Sequence, residues 1–118
     1  MAWTFSSDKP VYIQIADRIV YAIISGQYKP GQQIPTVRQL AMEAAVNPNT
    51  VQHAFSELEN NGIINSKGTL GRFVTEDTEV IELCKKIEAK KTTDVFLDNM
   101  KRLSIPKEQI ISLIEEVY

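Results

Sequence analysis

Asn47, Asn49, Thr50 and Gln52 fall within six residues, and each carries uncharged side-chain donors and acceptors. An Asn or Gln amide can pair through two hydrogen bonds with the major-groove edge of adenine. A Thr hydroxyl can meet a base or a phosphate. Beside them, Val51, Ala54, Phe55 and Leu58 recur at i, i+3, i+4 and i+7, the spacing of a helix face turned to a core. Asn49, Thr50, Gln52 and His53 then share the opposite face. The chemistry implied is recognition of a polar edge, not bond making. His53 has no second histidine beside it, Cys84 has no histidine partner, and neither a metal-ligand cluster nor a phosphate-cradling glycine loop is present. No enzyme, metal or cofactor is expected. The most economical reading of His53 is a surface or phosphate-side residue, and of Cys84 a small buried apolar group at a helix interface.

Such a face needs elements to hold it. Thr36-x-x-Gln39 is a capping box that opens a helix with Val37, Leu40, Ala41 and Ala44 on its buried stripe. After the turn Ala45-Val46-Asn47, Asn47 caps the next helix and Pro48 takes its first position, where a missing N–H costs nothing. Asn61-Gly62 closes that helix. Upstream, residues 10–26 read as a helix with Ile13, Ala16, Val20 and Ile23/Ile24 at helical spacing. Asp8 is placed to accept from an early N–H and Pro10 in the first turn. Trp3 and Phe5 suit either a short strand or a position against the core. Residues 63–66 and 72–75 read as two short strands around the glycine-containing loop Lys67-Gly68-Thr69-Leu70-Gly71. A helix-turn-helix followed by such a hairpin is the pattern of a winged helix.

The 118 residues suffice for one compact domain plus an appendage, with one cysteine and an apolar content of 43%. No apolar run approaches the roughly 20 residues of a membrane span, and Met1–Pro10 lacks the basic start and apolar stretch of a secretory leader. A cytoplasmic location without a membrane partner is expected. The net charge of −2 argues at first against a nucleic acid. Residues 1–75, however, hold six Lys/Arg against five Asp/Glu, a net of +1, whereas residues 76–118 carry −3. Arg38, Lys67 and Arg72 all lie in the motif regions.

Residues 10–75 resemble the DNA-binding domain of the GntR family of bacterial transcription regulators. The stretches that carry the likeness are Pro10-Val11-Tyr12-Ile13-Gln14-Ile15, Gly26-x-x-Lys29-Pro30-Gly31, Ile34-Pro35-Thr36-Val37-Arg38-Gln39-Leu40-Ala41, Val46-Asn47-Pro48-Asn49-Thr50-Val51, Leu58-Glu59-x-x-Gly62-Ile63-Ile64 and Gly71-Arg72-Phe73-Val74. The short helical tail is similar to the YtrA subfamily. The resemblance implies DNA contacts at Arg38, Asn47, Asn49, Thr50 and Gln52, and wing contacts to minor groove or phosphate at Lys67, Gly68, Thr69 and Arg72. The chain departs from the family pattern at Ser104, where members often carry glycine, at Pro48, where some carry arginine, and in a wing with fewer arginines.

The fold class expected is therefore mainly α with a small β-hairpin: a winged helix-turn-helix domain over 1–75 and a helical dimerisation tail over 76–118. In that tail Val80, Cys84 and Ile87, then Phe96, Met100 and Leu103, form apolar stripes. Lys90–Asp94 is either an exposed middle or a break, Ser104-Ile105-Pro106 a turn, and 107–117 a last helix. About forty residues of amphipathic helix do not bury their own stripes, so a second copy is the expected partner; the competing reading is a tail packed back onto its own winged helix, leaving a monomer. The function expected is a homodimeric regulator, a repressor on an inverted repeat of double-stranded DNA, of a transporter operon as the resemblance implies. The competing reading is a winged-helix module that binds protein. Any small-molecule effector would lie between subunits or between tail and winged helix.

Overall fold

The computed structural model describes residues 2–118. Helices α1 (Val11–Ile24), α2 (Val37–Ala44) and α3 (Pro48–Asn60) precede strands β1 (Ile64–Ser66) and β2 (Arg72–Val74), then helices α4 (Thr78–Arg102) and α5 (Lys107–Val117). The chain divides into two compact units, the first ending at Cys84 and the second covering Lys85–Tyr118.

In the first unit α3 packs against both α1 and α2. Ile15, Leu40, Val51, Phe55, Ile64 and Val74 are essentially sealed from solvent, so every element contributes to one core. The stripe Val51, Ala54, Phe55 and Leu58 is buried as its spacing requires. Both bonds of the Thr36–Gln39 capping box form, at 3.1 and 2.9 Å. Ala45 then turns the chain in the left-handed region (φ 58°). The antiparallel hairpin pairs Ile64 with Val74 and Ser66 with Arg72. The residues Gln32–Ile34 lie along the outer edge of β2, with Ile34 N donating to Arg72 O and Val74 N to Gln32 O, both at 2.9 Å. This pairing was not expected from the sequence, because three residues without periodicity carry no strand signal and their partner lies some forty positions on.

Entry into α1 also differs from expectation. Pro10 is the N-cap, with no side-chain cap bond. Asp8 does not cap the helix. Its carboxylate accepts from the Ser6 hydroxyl, which holds it below its ordinary range. Gln14 ties the entry instead, its amide reaching Ser6 O at 2.9 Å and Lys9 O at 2.8 Å. Trp3 and Phe5 form no strand. They pack against the core with their rings 6.3 Å apart.

The first turns of α4 belong to the first unit, where Val80, Ile81 and Cys84 pack on its core. Burial pushes the Cys84 thiol up. Further along, Lys90–Asp94 is an exposed stretch of one continuous helix, carrying an i,i+4 ion pair of 2.8 Å. The second unit holds the rest of α4 and α5. Ile110 is buried, whereas Leu113, Ile114 and Val117 stay exposed. Ser104 takes φ 59° in the turn, the conformation that glycine supplies more cheaply. Ile105 N then returns to Met100 O at 3.0 Å.

Candidate nucleic-acid interface

The start of α3 is built by its cap. Asn47 Oδ1 accepts from Asn49 N at 2.8 Å, so the Asn47 side chain has structural work whatever else it touches. The cap leaves Asn49 and Gln52 exposed and Thr50 half-buried on the first turns. Arg38, in the first turn of α2, is exposed and joins no ion pair among the described residues. A helix N-terminus bearing exposed amides beside such an arginine can meet base edges and phosphates together.

The wing is shaped by glycine and glutamine. Gly68 (φ 61°) and Leu70 bound a single tight turn, and Gly71 sits at φ 109°, where a Cβ would lie 2.8 Å from Gln33 Nε2. That same nitrogen donates to Leu70 O at 2.7 Å, so Gln33 props the tip of the wing from the neighbouring extended segment. Lys67, Gly68 and Thr69 are exposed at the tip. Lys67 Nζ lies 4.7 Å from the Phe73 ring centroid, a contact that positions its charge without neutralising it.

Arg72 is placed differently from its wing neighbours. Its Nε donates to Glu59 Oε1 at 3.0 Å and its Nη2 to Gln52 Oε1 at 3.4 Å. The guanidinium carbon lies 5.2 Å from the Phe55 ring centroid. Gln52 and Glu59 are seven residues apart on one face of α3, and Arg72 spans both, pinning the wing to the helix. Two neighbours of the face carried no signal in isolation. Glu59 is visible only as the residue one heptad after Gln52. Tyr12 stacks on His53 with centroids 3.5 Å apart and planes 10° apart, so His53 is a surface residue with a specific partner on α1.

Residues 11–74 match the family described as bacterial regulatory proteins, gntR family. The chain belongs to the gntR family. It is 36% identical over 111 residues to the HTH-type transcriptional regulator YhcF of Bacillus subtilis, covering 94% of this chain and 92% of that one. It is 34% identical over 99 residues to the HTH-type transcriptional repressor YtrA of the same organism, covering 84% and 72%. A GntR family transcriptional regulator from Listeria monocytogenes superposes with a TM-score of 0.86 at 38% identity, over 97% of this chain and all of that one. The DNA-binding domain of AraR, solved with operator ORX1, superposes with a TM-score of 0.58 at 26% identity, over 64% of this chain and 95% of that one. The gntR chain described here thus belongs with DNA-binding transcriptional regulators of YtrA type. Its relatives regulate transcription and are not enzymes. Among the described residues no helix is long and apolar enough to cross a membrane.

Proposed function

We propose that this gntR protein is a cytoplasmic repressor that binds an inverted-repeat operator as a homodimer and controls a transporter operon. The observation that carries the reading is the pair of exposed polar residues on the first two turns of α3, Asn49 and Gln52, flanked by Arg38, which joins no ion pair among the described residues, and by Lys67 at the wing tip. In this reading α3 enters the major groove, with Asn49, Thr50 and Gln52 toward bases and Arg38 toward base or backbone. Lys67, Gly68 and Thr69 meet the minor groove or its phosphates. Asn47 acts mainly as a cap, and Arg72 acts through Gln52 and Glu59.

Residues 76–118 serve as the dimerisation tail. Phe96, Met100, Leu113, Ile114, Val117 and Tyr118 line an apolar groove of about 380 Å³ in the second unit, and Val117 is 81% exposed. Apolar surface of this kind favours burial against a second copy. The repressor sense is supported by the named repressor among the relatives.

Selection of bound fragments from random DNA tests the reading as a whole. Two half-sites related by a dyad, bound by a species of twice the monomer mass in light scattering, are expected. Selection of no sequence overturns the DNA reading and favours a protein-binding module. A monomer on a single half-site overturns the dimer alone. Salt dependence tests the electrostatics separately. Arg38 and Lys67 from two subunits neutralise about four phosphates, for a slope of log K against log salt near −4. If Arg72 leaves Glu59 for phosphate, the slope approaches about −5.

A further inference from the structure

A cleft of about 320 Å³ in the first unit is lined by the N-terminal arm, α1, the turn after α1 and the end of α2. Its chemistry comes from Trp3, Arg18, Tyr21, Tyr28 and Glu43. The Arg18 guanidinium carbon lies 4.1 Å from the Trp3 ring centroid, which fixes the place of the charge while its N–H groups remain able to donate. The Glu43 carboxylate is close enough to the Tyr28 phenol to add to burial in pushing that phenol up. Arg18 and Glu43 line the same cleft, yet among the described residues no ion pair joins them to each other or to a third group. An arginine that merely pins the arm accounts for Arg18 and Trp3. It leaves unexplained why an acid and two tyrosines stand across the same cleft.

We propose that this cleft binds a free α-amino acid, with its carboxylate held by Arg18 and its ammonium by Glu43 among the Tyr21 and Tyr28 rings. A guanidinium takes a carboxylate through parallel hydrogen bonds, and an ammonium is favoured by a carboxylate and by ring faces together. The volume is at the lower end for small-molecule sites, suited to one amino acid and too small for a nucleotide. A bare amine would face Arg18, and a bare acid would face Glu43, so each lone charge meets repulsion that the zwitterion escapes. The site lies wholly in the winged-helix unit, unlike the subunit and tail locations expected from the sequence for an effector.

The chain has one tryptophan, Trp3, so its emission reports on this cleft alone. The full chain is titrated with each common L-amino acid in turn, following Trp3 emission and, in parallel, calorimetric heat. Saturable binding of at least one amino acid is expected, with affinity about tenfold weaker in Arg18→Gln and in Glu43→Gln. The decarboxylated amine and the deaminated acid of the same compound are expected to bind the native chain at least tenfold more weakly. Absence of saturation by every amino acid in both readouts overturns the proposal. So does equal binding of the amine or the acid, a comparison that needs no variant, or an affinity unmoved by both substitutions.

Discussion

Three cations of the motif region fare differently once their neighbours are known. Arg38 is exposed and unpaired, Lys67 is exposed beside Phe73, and Arg72 is held by Glu59 and Gln52 over Phe55. Their roles separate accordingly. Arg38→Ala should weaken operator binding about tenfold or more, with little change in fold. Lys9→Ala, which removes only an exposed pair with Asp17, should change it less than about twofold. Fluorescence anisotropy on the selected operator measures both. Arg72→Ala should instead lower stability, by about 1 kcal/mol after allowing for partial exposure of the pair and adding the lost packing on Phe55. Lys67→Ala should stay within about 0.5 kcal/mol. Urea midpoints compare the two. The residue types on the exposed face of α3 were legible because Asn, Thr and Gln at helical spacing announce themselves. The Arg72–Glu59 pair was not, since its two members belong to different elements and meet only when the hairpin folds back on α3.

At the level of elements, local rules wrote most of the helix-turn-helix. The capping box at Thr36, the Asn47 cap with Pro48 behind it and the glycine after α3 are all short-range signals, and each appears in the structure where its spacing places it. Both strands were legible from apolar residues flanking glycines. The segment Gln32–Ile34 was not, because its extended form is imposed by pairing with β2. The entry to α1 departs from its local signal for a related reason: Asp8 has the chemistry of a cap but accepts from Ser6. Gln14 reaches back from inside the helix to the Ser6 and Lys9 carbonyls, and no side chain caps the first N–H groups. The turn between α4 and α5 offers a quantitative test. Ser104 at φ 59° carries a left-handed cost of about 1 kcal/mol, partly offset by the larger unfolded-state entropy glycine would bring. Ser104→Gly should therefore stabilise by roughly 0.5 kcal/mol, seen as slower hydrogen exchange at Ile105 N.

For the molecule as a whole, two half-buried acids contribute to its response to alkali. The Cys84 thiol and the Tyr28 phenol both hold their protons more tightly when folded. The unfolded chain loses these protons first, so it binds fewer of them as pH rises, and stability must fall with pH in that range. The contribution is intact below the ordinary thiol value of 9.0 and declines above it, through the ordinary phenol value of 10.0 and beyond. Urea midpoints that hold steady through neutral pH and drop on the alkaline side are expected. One contact makes α3 observable by itself. The chain has one histidine, and its imidazole lies flat on the Tyr12 ring at 3.5 Å. The ring current of the tyrosine should shift the imidazole proton resonances upfield of their free values. Any loosening of α1 against α3 would return them toward their free values, so the resonances of this single imidazole, picked out by specific labelling, become a gauge of how α3 is seated.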